Sequence, residues 1–225
     1  MNDRPPFEAV HNCICSHADM AILAFYKGYF DTVYIILHPF YRKDENDNIS
    51  QLVTWKEFMA LAEFENINQL DIALRTSIFG LNKRCENKEY ADRLVRASEL
   101  NDIWIPSEGN FQDTLEKEML KSLQELGHHY VFVADEWGYE RKLVFIQDMI
   151  DGKDNTILTW GAQRNWYTNH NEILYTTHWD SHFTMLCSDR NTVESIVVKH
   201  GFEGFYCDAN TEIYWSTMQT DNHDN

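Results

Sequence analysis

The chain lacks most of the features that would assign it a role at a glance. Its longest apolar runs, around Met20 to Tyr26 and Val33 to Leu37, fall far short of the roughly 20 residues that span a bilayer. Its five cysteines (Cys13, Cys15, Cys85, Cys187 and Cys207) are odd in number and scattered, with no Cys-x-x-Cys pair. That argues against a disulfide framework and suits a reducing cytoplasm. The first residues, Met-Asn-Asp-Arg-Pro-Pro, hold no basic stretch leading into an apolar one, so no secretory signal is expected. Basic residues are scarce: 19 Lys and Arg face 36 Asp and Glu, a net charge of −17, and no Lys/Arg stripe interrupts the acidic surface. Such a surface repels phosphate, so neither nucleic acid nor an anionic membrane is an expected partner. Gly-x-Ser-x-Gly, the Walker A loop, a Gly-x-Gly-x-x-Gly after a strand and His-Glu-x-x-His are all missing. Serine hydrolases, P-loop enzymes, dinucleotide oxidoreductases and zincins are therefore unsupported.

What is present is the composition of a packed globule, with 44% hydrophobic and 14% aromatic residues in 225. Thr-Val-Tyr-Ile-Ile-Leu-His-Pro-Phe from Thr32 to Phe40 reads as a strand buried on both faces and closed by Pro39. A polar loop, Lys43 to Asn48, leads into a helical block. Thr54-x-x-Glu57 is a capping-box pattern opening a helix that buries Trp55, Phe58, Met59 and Leu61. Asn68 is set to cap a second helix through Leu70, Leu74, Ile78 and Leu81, and Asn87 a third with Tyr90, Leu94 and Leu100 inward. Ser107 is expected to start the longest, with Phe111, Leu115, Met119, Leu123 and Leu126 inward and Gly127 as its stop. The last third changes to a period of two, with strands expected at His129 to Ala134, Leu143 to Gln147, Ile157 to Trp160, Ile173 to Cys187, Phe205 to Cys207 and Ile213 to Trp215. Between them, Asp189 or Asn191 caps a short helix ending at Gly201. The expected fold class is α+β: a helical block packed on one face of a mostly antiparallel sheet, with strands concentrated in the C-terminal third. The expected organisation is an N-terminal extension at 1–30, one domain at 31–218 with a hinge near 151–155, and a disordered acidic tail at 219–225.

Several segments carry a family likeness: the Ile36-Leu37-His38-Pro39-Phe40 strand end, the Leu70-Asp71-Ile72-Ala73-Leu74-Arg75-Thr76-Ser77-Ile78 helix, Asn101-Asp102-Ile103-Trp104, and the closing Cys207-Asp208 and Trp215. Together they resemble the YwbB-like family of Gram-positive bacilli over about Thr32 to Trp215. The resemblance implies a bacterial cytoplasmic protein and carries over no catalytic residue.

The richest local chemistry is Thr-His-Trp-Asp-Ser-His-Phe from Thr177 to Phe183. As a strand it sets His178, Asp180 and His182 on one face and the packing residues Trp179, Ser181 and Phe183 on the other. The three polar groups are candidate ligands for a divalent metal, or simply the wet face of an antiparallel strand. His11, Cys13, Cys15 and His17 alternate too, but an extended run of that length cannot close around one ion. His38, at a strand end, and Arg75, with Thr76 and Ser77 beside it, form a further catalytic candidate, against a reading as helix residues that fill space next to the sheet. His128 and His129 follow a helix stop, where they suit the helix dipole. These features lead to two expectations. The first is a non-enzymatic, acidic, immunity-like module that binds a basic protein and needs no cofactor. The second is a metal-assisted hydrolase at His178, Asp180 and His182.

Overall fold

Strands whose two faces are both apolar need a covering layer on each side, and that requirement shapes the molecule. The computed structural model describes residues 13–153, 158 and 164–217. In chain order these form α1 (Ile22–Phe25), β1 (Thr32–Leu37), β2 (Phe40–Lys43), β3 (Ile49–Val53), α2 (Trp55–Ala62), α3 (Ile67–Ser77), α4 (Lys88–Asn101) and α5 (Asp113–Glu125). There follow β4 (Tyr130–Ala134), β5 (Arg141–Phe145), α6 (Ile146–Ile150), β6 (Asn165–Thr168), β7 (Leu174–Thr176), β8 (Phe183–Ser188), α7 (Arg190–His200) and β9 (Gly204–Tyr206). Seven strands make one antiparallel sheet in the order β5-β4-β6-β7-β8-β1-β9, and β2 and β3 form a separate hairpin. The fold is α+β, with most strands late in the chain.

All six residues of β1 are buried, as the unbroken apolar run predicts. Val33, Ile35 and Leu37, with Phe183, Met185 and Cys187 of β8, pack against Ile22, Tyr26, Phe58, Leu70 and Leu94 from α1 to α4. Tyr34 and Ile36, with Leu186, Val131, Val133 and Tyr175, pack against Leu115, Met119, Val193 and Ile196 from α5 and α7. Each large apolar side chain withdrawn from water contributes about 1.5–3 kcal/mol, so neither face can be left bare. The helical block covers one face, as expected. The finding beyond that expectation is α5, which leaves the block and joins α7 on the opposite face.

Local chemistry explains where the helices begin. Thr54 and Glu57 form the predicted capping box, and Asn87 and Asp189 accept from the first-turn amides of α4 and α7. Asn66, not Asn68, caps α3 by accepting from Gln69 N at 3.1 Å. The segment from Ser107 is not helical; α5 starts at Asp113, after the buried Phe111, and α4 is one residue longer. Leu61, Leu100 and Leu126 are exposed instead of inward. Cys13, Ile22, Tyr26 and Phe30, within the segment set apart as an extension, are buried in the core because their apolar side chains complete the α1 side of the sheet. Ile213 to Trp215 is a turn, not a strand. The expected strand at Ile157 to Trp160 (Leu158 excepted), the far end of the 151–155 hinge, and the 219–225 tail lie outside the described residues. No helix among the described residues is long and apolar enough to cross a membrane.

Candidate functional site

The segment between β7 and β8, residues 177–182, is a turn instead of a continuing strand. Ser181 folds back on His178, its amide donating to His178 O at 3.2 Å and its hydroxyl to the same atom at 2.8 Å. Thr177 Oγ1 donates to Phe183 O at 2.9 Å across the base of the turn. Gly109 N donates to Ser181 O at 2.9 Å, and here only glycine fits: at φ +69° a Cβ would stand 2.1 Å from Trp179 O. The turn breaks the expected alternation: Ser181 and Phe183 are buried as expected, but the two histidines join them. His178 and His182 are buried, while Trp179 is 57% exposed.

Behind the turn lies a buried charged network. Arg75 and Asp71, one helical turn apart on α3, are both fully buried and paired through Nε and Oδ2 at 2.8 Å. Arg75 spends its other donors on backbone carbonyls, Nη1 on Asp180 O at 3.0 Å and Nη2 on Ile213 O at 2.8 Å, and its guanidinium lies 4.7 Å from the Tyr214 ring centre. Ser216 Oγ donates to Asp71 Oδ2 at 2.6 Å. Tyr214 OH donates to Asp180 Oδ2 at 3.0 Å. A fan of donors with fixed geometry is what arginine offers and lysine does not. Here it ties α3, the 177–182 turn and the 213–217 turn together.

His178 stands at the outer end of this network. Trp179 Nε1 donates to its Nε2 at 3.0 Å, and an indole N–H only donates, so the neutral ring carries its proton on Nδ1. That atom is 2.8 Å from Asp180 Oδ1, a close approach off the ideal bond direction, so the contact is electrostatic first and a hydrogen bond second. The Asp180 amide stands farther off, 3.4 Å from the same nitrogen, and loses that competition. Burial alone would raise the Asp180 carboxyl, but the His178 and Tyr214 contacts and the Arg75 charge outweigh it and hold the group below its ordinary value. His38 and His182 sit deeper. Burial drives both down to about 3, helped at His182 by His38 and Arg75 and opposed at His38 by the Ser107 backbone. His38 Nε2 contacts Thr184 Oγ1 at 2.9 Å; its Nδ1 faces Ser107 without a well-formed bond, and His182 Nδ1 has no hydrogen-bond partner among the described residues.

In front of His178 is a cavity of about 170 Å³ walled by Cys15, Ser16, Glu136, Trp137 and Trp179. Ser16 Oγ is buried there without a hydrogen-bond partner among the described residues. Cys15 as a residue is only partly covered, yet burial and then the Glu136 charge push its thiol up to about 12, so it offers no thiolate near neutral pH. A second cavity, about 480 Å³, adjoins it through the shared Trp137 and is lined by Asp135, Tyr139 and Glu140.

His38, Arg75, His178, Asp180 and His182, read from three separate stretches of sequence, thus fall in one cluster. They do not surround one point: among the described residues no three His, Cys, Asp or Glu side chains could hold a metal ion. His38 and Arg75 have no exposed surface. Cys13 is buried and donates to Asn171 Oδ1 at 3.6 Å, and His11 lies outside the described residues. Sequence reasoning missed Asp71, Tyr214, Ser216 and the Trp137–Tyr139 rim. Of these only Asp71 was signalled, by its four-residue spacing from Arg75.

A family model described as "Protein of unknown function (DUF2711)" matches residues 18–217. The uncharacterized protein YwbB of Bacillus subtilis (strain 168) is 22% identical over 179 residues, spanning 79% of this chain and 78% of that one. Both agree with the resemblance read from the sequence. No solved structure matches the chain at a significant level.

Proposed function

The chain belongs to the bacterial family described as protein of unknown function DUF2711, and from its own geometry we propose that it is a non-catalytic, cytoplasmic binding protein that receives a basic protein partner on the cleft around Trp137, Tyr139 and Trp179. The carrying observation is that these three aromatics are 59%, 89% and 57% exposed beside Asp135, Glu136 and Glu140. Large exposed aromatics carry a disproportionate share of interface energy and attract cations to their faces. A net charge of −17 supplies the long-range attraction that brings a basic partner in. The alternative, a metal-assisted hydrolase at His178, Asp180 and His182, has less behind it, since no group of three His, Cys, Asp or Glu among the described residues is placed to hold an ion. The test is a fluorescence titration with an arginine-rich peptide at low and high salt. Saturable binding that weakens at least tenfold in Trp137→Ala/Tyr139→Ala, and falls steeply with salt, is expected. Binding indifferent to both would overturn the reading.

A second reading rests on a different observation, the Asp180–His178 pair with Nε2 turned outward under the Trp179 indole. A carboxylate behind an imidazole orients it for general-base work once the indole swings aside. Ester hydrolysis by the wild-type protein that disappears in His178→Gln would favour this reading over the first.

A further inference from the structure

The two cavities on either side of Trp137 differ in size and walls, and the difference bears on what each receives. The one before His178 holds about 170 Å³, below the roughly 300–1,000 Å³ of pockets that enclose whole small molecules. It fits a single side-chain head group. Its walls include two indoles, Trp137 and Trp179, with Glu136, Ser16, His17 and His178. Ser16 is 3% exposed and its Oγ is buried without a partner among the described residues, an arrangement that proteins seldom leave unanswered. The acceptor Nε2 of His178 is already occupied by Trp179, so the cavity offers an incoming group a carboxylate, a hydroxyl oxygen and two π-faces. All of these favour a planar cation.

We propose that this cavity is the anchor site for one arginine of the partner, its guanidinium lying against the Trp137 and Trp179 rings, paired with Glu136 and donating to Ser16 Oγ. Arginine suits the site better than lysine because its flat, weakly hydrated head stacks on indoles and carries several donors in one plane. The outer cavity beside Tyr139 then takes the flanking part of the same basic segment. This inference rests on the binding reading above and specifies its central contact.

The test uses the full chain and two small compounds, Nα-acetylarginine amide and its neutral isostere Nα-acetylcitrulline amide, followed by the indole N–H signals of Trp137 and Trp179 in nuclear magnetic resonance. The arginine compound is expected to shift both signals saturably, and the citrulline compound to bind at least tenfold more weakly. Glu136→Gln, an isosteric change on a surface turn, should weaken arginine binding at least tenfold while leaving the folded spectrum intact. Ser16→Ala should weaken it by a few-fold. Equal binding of the two compounds, or full affinity in Glu136→Gln, would overturn the proposal. If the arginine-rich peptide still binds in a Trp137-dependent way while the single arginine compound moves neither indole, the anchor site is wrong and the binding reading stands. If neither ligand binds, both fall together.

Discussion

The two faces of the central sheet each bring charged groups together, and they do it in opposite ways. On the α3 side, Arg75 and Asp71 are fully buried and each of the three guanidinium nitrogens donates to a fixed acceptor. On the other side, His200 at the end of α7 lies between two α5 carboxylates, with Nδ1 3.2 Å from Glu118 and Nε2 2.9 Å from Glu125. Lys121 and Lys199 reach the same carboxylates from solvent. Solvent screens the second cluster and does not reach the side chains of the first. The buried network therefore specifies position, since removing one member strands a charge, whereas the surface clasp adds modest stability that salt can erase. It is the positioning network, not the clasp, that ends at His178 and the cleft.

The sharpest way to break this contrast is Arg75→Met. It leaves Asp71 charged in the core and is expected to cost about 3–5 kcal/mol in urea unfolding. Adding Asp71→Leu should recover much of that loss, because a buried pair replaced by apolar groups is often close to neutral. A double variant no better than the single would mean that the bonds to Asp180 and Ile213, not the charge balance, dominate.

Acid separates the faces next. His38 and His182 stay neutral in the fold down to about pH 3, whereas in the unfolded chain they take up protons near 6.5. Between those values the unfolded state binds more protons, so stability is full above pH 6.5 and declines as pH falls toward 3, by up to roughly 4 kcal/mol per histidine. The contacts of Glu118 and Glu125 with lysine and His200 hold their carboxyls below the ordinary value of 4.5, so this contribution is full above about pH 4.5 and fades as pH falls below it. Urea midpoints at pH 7, 5.5 and 4.5 should thus fall in the wild type, and the slope should flatten in His182→Gln. An unchanged slope would exclude His182 as a source.

The smallest effect belongs to the clasp. His200→Ala should lower Tm by no more than about 3 °C, and 1 M salt should erase the difference. A larger, salt-resistant loss would place the clasp in the same class as the Arg75 network.

Much of the framework was legible because it is local. Thr54 with Glu57, Asn87 and Asp189 announce helix starts, and the apolar run of β1 announces a strand covered on both sides. The site was half legible. Its histidines and Asp180 stand out by type, but strict alternation from Thr177 to Phe183 mimics a strand where the Ser181 side chain actually closes a turn onto His178. Trp179 was placed inward for the same reason. Ile213 to Trp215 carries strand-forming residues, yet Arg75 captures the Ile213 carbonyl, a contact 138 residues away that no local pattern encodes. The acidic cleft escaped because Trp137 and Tyr139 lie in a hairpin turn read only as punctuation.

The place of β1 in the sheet has a consequence for how the chain comes into being. This strand, the first of the nine among the described residues, pairs there only with β8 and β9, the last two of them. A ribosome adding about 5–20 residues per second leaves it without neighbours for roughly ten to thirty seconds. An early-made hydrophobic strand must therefore wait, shielded or at risk, for partners roughly 150 residues further along the chain. The sheet cannot close until β8 has been made, so a chain cut off before β8 would release an unpaired, sticky edge.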